Sequence, residues 1–159
     1  MHALKYAGWT RVSAEIAVRI SRLQWPCDVL EERTAIIPLP LAGVRERERG
    51  FNQSALIARH LSHAWRIPVW ENTVARVRAT RSQTELTPGD RLSNVAGAFR
   101  PCESSLAQLV GAHVILLDDV VTTGATLGAC ATALFEAGAR TISYVTFGRA
   151  PASGDRPQR

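Results

Sequence analysis

The chain has 159 residues, enough for one domain with a sizeable core. At 46% hydrophobic and 21% charged residues it is no disordered chain, and it contains no run of ~18 uncharged apolar residues to cross a membrane. The net charge is +5, and the imbalance falls within residues 45–100, where ten arginines face five acidic residues. A localised positive field points to an anionic partner, either nucleic acid or a phosphorylated small molecule. Lys5 is the only lysine. No basic-plus-apolar leader opens the chain, so a cytoplasmic protein is expected. Cys27, Cys102 and Cys130 are far apart and odd in number, which argues for reduced thiols over disulfides or a self-contained zinc site.

Val12, Ile16, Ile20 and Leu23 share a helical spacing, which predicts a helix over 10–23. Residues 34–37 form a short apolar strand that Pro38-Leu39-Pro40 should stop. A charged loop follows to Gly50. Asn52 is an N-cap candidate for a helix whose apolar face carries Ala55, Leu56, Ile57, Leu61 and Trp65. Pro68 breaks that helix, and 69–77 can hold a strand. Residues 78–94 show no period and are rich in Thr, Ser, Gln, Gly, Pro and Asp, as in a long functional loop. Residues 97–100 suit a short strand and 104–109 a short helix.

The clearest unit is the last. His113–Leu117 reads as a strand buried on both faces, ended by Asp118 and Asp119. Thr122-Thr-Gly-Ala-Thr126 is a tight turn, 127–137 a helix closed by Gly138, and 141–147 a second strand. This is a βαβ unit, so the two strands should be parallel and the class α/β. The tail from 151 to 159 is expected to be flexible, leaving 1–150 as one domain.

Two adjacent carboxylates at the carboxyl end of a parallel strand stand where open α/β sheets bind ligands. The loop after them, three threonines and a glycine entering a helix, can turn several N–H groups toward one point. That is a cradle for a phosphate. The carboxylates cannot hold the same phosphate, but they suit vicinal hydroxyls such as those of a ribose. Neither a GxxxxGK[ST] nor a GxGxxG pattern is present.

Residues 114–126 (VILLDDVVTTGAT) resemble the phosphoribosyl pyrophosphate (PRPP) signature of type I phosphoribosyltransferases. Arg47-Glu-Arg-Gly-Phe-Asn-Gln53 after Pro38-Leu-Pro40, and the series Arg76, Arg78, Thr80, Gln83, Leu86, Arg91, Asn94 and Gly97-Ala-Phe99, resemble the ComF/GntX family of that superfamily. Ala3-Leu-Lys-Tyr6 is similar to the start of its transferase domain. Many members carry an N-terminal cysteine-rich zinc module, and this sequence shows none.

The resemblance implies a central parallel sheet flanked by helices, with a small flexible hood. It implies that Asp118 and Asp119 face the ribose hydroxyls of PRPP, and that Thr122, Thr123, Gly124, Ala125 and Thr126 hold its 5′-phosphate. Pro38, Leu39 and Pro40 would lie in the pyrophosphate loop with Arg47 and Arg49. Arg78, Thr80, Gln83, Arg91 and Asn94 would belong to the hood. Mg²⁺ would arrive through PRPP oxygens and water, with no site of protein ligands alone.

Two readings stay open. One is an enzyme that transfers the phosphoribosyl group to an unassigned acceptor with release of pyrophosphate. The other is a non-catalytic protein on the same fold that senses PRPP or handles single-stranded DNA, since the family is associated with natural competence and DNA uptake. The resemblance admits a homodimer and competence proteins as partners. No histidine is assigned chemistry, and the tryptophans read as packing residues.

Overall fold

The computed structural model describes residues 2–41, 50–78 and 95–149. The expected tail and nearly all of the expected hood lie outside the described residues. The elements in chain order are α1 (His2–Ser21), α2 (Cys27–Glu32), β1 (Arg33–Pro38), α3 (Gln53–Trp65), β2 (Val74–Arg76) and β3 (Phe99–Pro101). A 3-10 turn (Glu103–Ser105), α4 (Leu106–Leu109), β4 (His113–Val121), α5 (Ala125–Glu136) and β5 (Thr141–Arg149) follow.

β1, β4 and β5 form a parallel sheet in the order β1-β4-β5. β2 and β3 pair antiparallel as a separate two-stranded sheet. The expected α/β class and parallel βαβ unit are therefore present. β4 alternates between two cores. Val114 and Leu116 join Ile37, Leu127, Cys130 and Leu134 on the α5 side. Ile115 and Leu117 join Ile36, Ile16, Ile57 and Leu61 on the side of α1 and α3. Burial on both faces explains why this strand reads as an unbroken apolar run.

Several boundaries differ from the sequence reading. α1 starts earlier and buries Ser13, Ile16, Ala17 and Ile20, while Val12 and Leu23 are exposed. The small Ser13 and Ala17 let α1 lie close along α3, which apolar spacing alone does not reveal. α2 carries no apolar periodicity and was not expected. β1 does end at Pro38, as the sequence reading has it, with Pro38 still in register with Leu117, and just beyond it the Leu39 N–H donates to the Leu117 carbonyl at 2.8 Å. On the other edge, Ile36 exchanges hydrogen bonds with Pro68 and Trp70. Strand alternation points the nitrogen of Pro38 to that outer edge, so the β1–β4 ladder loses no donor. The strand expected over 69–77 reduces to a parallel bridge at Val69 and the short β2. The backbone turns between them at 71–73, where the Thr73 carbonyl accepts from the Cys102 N–H at 2.9 Å.

The tryptophans pack. Trp25 meets Trp65 edge to face at 5.1 Å between centroids, Trp9 lies 6.4 Å from Phe51, and Trp70 sits against the α5-side core. Cys130 is buried, Cys102 half-buried and Cys27 exposed, all as free thiols. Among the described residues no helix is long and apolar enough to cross a membrane.

Candidate functional site

The carboxyl ends of β1 and β4 lie side by side, and the segments that leave them build the site. From β1 comes Pro38-Leu39-Pro40. Leu39 is buried and held at both its polar atoms: its N–H reaches Leu117, and its carbonyl accepts from Asn52 Nδ2 at 3.0 Å. Asn52 uses its other atom as the N-cap of α3, where Oδ1 accepts from the N–H groups of Ser54 (3.0 Å) and Ala55 (3.4 Å). The expected cap is present, and its second role as a tie to Leu39 was not readable from sequence. No peptide bond among the described residues is cis.

From β4 come Asp118 and Asp119. They do not end the strand, which runs on to Val121 by pairing Asp118 with Thr146 and Val120 with Gly148. Each carboxylate turns back on its own chain. Asp118 Oδ1 accepts from the Asp119 N–H at 2.9 Å, and Asp119 Oδ1 accepts from the Val120 N–H at 2.7 Å. Burial, and then the negative charge of Asp119, push the Asp118 carboxyl up to about 7, against the opposing pull of the Asp119 N–H that it accepts from and, more weakly, of Arg76. Below Asp118, burial followed by the charge of Asp118 pushes the Cys130 thiol up to about 12.

Gly124 turns the chain into α5. Its φ of +78° is in the left-handed region, and a Cβ there would meet only Val121 Cγ2 at 4.0 Å. Backbone conformation, not space, therefore calls for glycine here. α5 begins at Ala125, two residues before the sequence reading places it, and the Ala125 N–H reaches back to Thr123 Oγ1 at 3.4 Å. Gly138, at φ +102°, closes the far end as expected. Asp118, Thr122, Gly124 and Thr126 line a small cavity of about 20 Å³ at this helix start.

Two larger cavities are present among the described residues. One of about 340 Å³ lies between Pro38, Pro40, Asn52, Asn72 and Arg76. The other, of about 500 Å³, runs along Gly124, Ala125, Gly128 and Thr132 of α5 opposite Val95–Gly97. Arg78 Nη2 donates to the Ala96 carbonyl at 2.9 Å, so this arginine is tied to the chain beyond the hood. Arg47, Arg49, Thr80, Gln83, Arg91 and Asn94 lie outside the described residues. The basic segment is not spent wholly on a ligand: Arg59 forms a two-pronged pair with Glu71 at 2.6 and 2.7 Å. Arg76 is a functional candidate whose place the sequence reading did not identify. The signal was available in strand alternation, since Val74 is buried and Arg76 lies two residues on, on the same face.

Comparison with known proteins shows the family of the chain. The phosphoribosyl transferase domain family matches residues 34–159. The chain is 37% identical over 150 residues to the DNA utilization protein YhgH of Salmonella typhi, covering 89% of this chain and 62% of that protein. It is 38% identical over 116 residues to competence protein F of Haemophilus influenzae, covering 73% of this chain and 50% of that protein. It is 32% identical over 118 residues to competence protein ComFC of Bacillus subtilis, covering 73% and 45%. The chain thus spans less than two thirds of the length of these relatives. Among solved structures, the fold is similar to that of glutamine PRPP amidotransferase from B. subtilis, solved with ADP and GMP. The TM-score is 0.53 at 17% identity, over 87% of this chain and 26% of that one. The chain is a ComF-type member of the phosphoribosyl transferase domain family.

Proposed function

We propose that the chain binds PRPP and transfers or handles its phosphoribosyl group with release of pyrophosphate. The observation that carries this reading is the run from Asp118 to Ala125. Two carboxylates lie at the carboxyl end of the middle parallel strand, and a left-handed Gly124 then starts a helix around a small cavity. In this reading the N–H groups and hydroxyls of Thr122–Thr126 hold the 5′-phosphate, assisted by the positive end of α5. Asp118 and Asp119 release their own backbone and accept from the two ribose hydroxyls. Pro38-Leu39-Pro40, with Arg47 and Arg49, faces the pyrophosphate, where forked guanidinium donors match its oxygens. The hood residues Arg78, Thr80, Gln83, Arg91 and Asn94 exclude water from the sugar cation as pyrophosphate leaves.

Among the described residues no three His, Cys, Asp or Glu side chains gather as metal ligands. The acid pair nevertheless suits an ion carried on the sugar and pyrophosphate oxygens. Mg²⁺ bound that way would supply charge neutralisation on the leaving group. The reading places the protein in the cytoplasm, where PRPP is made.

Calorimetric titration of PRPP tests the site. Asp118→Asn with Asp119→Asn should abolish the binding that the parent chain shows, in a variant that still melts cooperatively. Unchanged affinity would sink the assignment. Pyrophosphate release with a panel of bases and amines then separates transfer from sensing, because a sensor gains thermal stability from PRPP without turnover.

A second reading rests on the names of the relatives and on the arginine-rich segment: the chain handles single-stranded DNA. A titration with an oligonucleotide should then show log K falling steeply with log salt.

A further inference from the structure

β5 is the last strand of the parallel sheet. Its inner edge pairs with β4 in a constant register, and among the described residues no strand pairs with its outer edge. Every second residue of β5 therefore turns a backbone N–H and C=O outward with no strand to receive them. Neither helical layer covers this border. Tyr144 pairs with Leu116 and so lies on the α5 side, yet it is 49% exposed. Phe147 shares the face of Val145, on the side of α1 and α3, and it is 51% exposed. Free edges are normally blunted by lysine, proline, a bulge or an inward-pointing charge. β5 has none of these from Thr141 to Gly148, and its one charged residue, Arg149, is the last.

We propose that this edge is an interface between two copies of the chain, paired β5 to β5 in antiparallel fashion about a two-fold axis at Val145. The order of side chains along β5 carries the choice of partner. Reversing the strand about Val145 sets Tyr144 opposite Thr146, Phe147 opposite Ser143 and Ile142 opposite Gly148. Each large side chain then meets a small or β-branched one, and this holds on both faces of the sheet. A two-fold interface requires such self-complementarity, because one patch must serve as both partners. Charge gives the direction. In the antiparallel pair the two Arg149 side chains lie at opposite ends of the seam, about 27 Å apart, whereas in-register parallel strands would set them side by side. Each Arg149 comes to the Thr141 end of the other copy, where the neighbouring Arg140 is already paired with Glu32 at 2.6 Å. The seam adds about eight backbone hydrogen bonds and joins the two parallel sheets into one continuous sheet. The interface is independent of the phosphoribosyl reading.

Sedimentation velocity of the full chain tests it, under reducing conditions because Cys27 is an exposed thiol. From low to high micromolar concentration the parent should shift reversibly from the mass of one chain to that of two. Tyr144→Lys with Phe147→Lys puts two cations on the edge of each copy and should leave the chain monomeric at every concentration. Cooperative unfolding should be retained, because both residues are exposed. Hydrogen exchange read by mass spectrometry locates the contact: in the parent, protection of 142–149 should rise with concentration while that of β1 stays level. A parent that remains monomeric overturns the proposal and leaves the edge to a strand of another protein. A dimer that survives the double substitution in a folded variant overturns it too, as does one that forms without added protection in 142–149. If the variant does not unfold cooperatively, the exchange pattern of the parent decides alone.

Discussion

Asn52 ties the backbone of Leu39 to the start of α3. Its Nδ2 donates to the Leu39 carbonyl while its Oδ1 caps the helix, so one side chain fixes the angle between the end of β1 and α3. Substitution separates the two roles. Asn52→Asp keeps the cap and loses the donor to Leu39, whereas Asn52→Ala loses both. Loss of the cap alone should cost about 1 kcal/mol. Denaturant unfolding should rank the parent above Asn52→Asp and Asn52→Asp above Asn52→Ala. Both variants should bind PRPP more weakly than the parent, because the Pro38-Leu39-Pro40 segment loses its tether. Equal unfolding midpoints for the two variants would refute the separation.

Gly124→Ala isolates a backbone effect. The added Cβ has room, so the cost is that of a left-handed residue, roughly 1–2 kcal/mol. Thermal unfolding should report that loss, and stabilisation by inorganic phosphate should disappear with it. A variant that keeps full phosphate stabilisation would argue against a cradle at this turn.

Asp118 gives stability a slope with pH. Its carboxyl is raised from 3.8 to about 7 in the folded chain, so the folded state holds this proton more tightly than the unfolded state. The contribution is fully present below about pH 3.8 and is lost as pH rises toward about 7. Asp118→Asn should flatten that limb in unfolding curves taken across the range. A limb of unchanged slope would show that Asp118 is not the titrating group.

His113 gives the opposite slope. It is 2% exposed at the start of β4, with Nε2 2.9 Å from Ser143 Oγ. Burial, aided by Arg140, holds its imidazole below the usual 6.5, against the pull of Glu32 and Asp28. Its contribution is present above pH 6.5 and is lost as pH falls through the lowered folded value. His113→Gln carries no proton-linked charge, so the acid limb of the stability curve should become shallower.

The βαβ unit was legible because local signals agree there: an apolar run, a turn with glycine at its left-handed position, and a helix closed by Gly138. Asn52 was legible as a cap for the same reason. What escaped depends on contacts between distant segments. Ser13 and Ala17 are buried because α3 comes close to α1, and no spacing of large apolar residues records that. Pro38 stays in the sheet because its nitrogen points to the outer edge, which depends on β4 and not on the proline. Arg76 meets Phe99 only because β2 and β3 pair across 23 positions of sequence.

The division of β4 between two cores has a consequence for ligand affinity. Leu116 and Leu117 press on opposite sides of the sheet, so a shift of the strand toward either core would open a gap in the other. The carboxylates that follow them therefore inherit a fixed location from packing completed during folding. A ligand arriving there meets groups whose ordering cost has already been met, and more of its contact energy is left to appear as affinity.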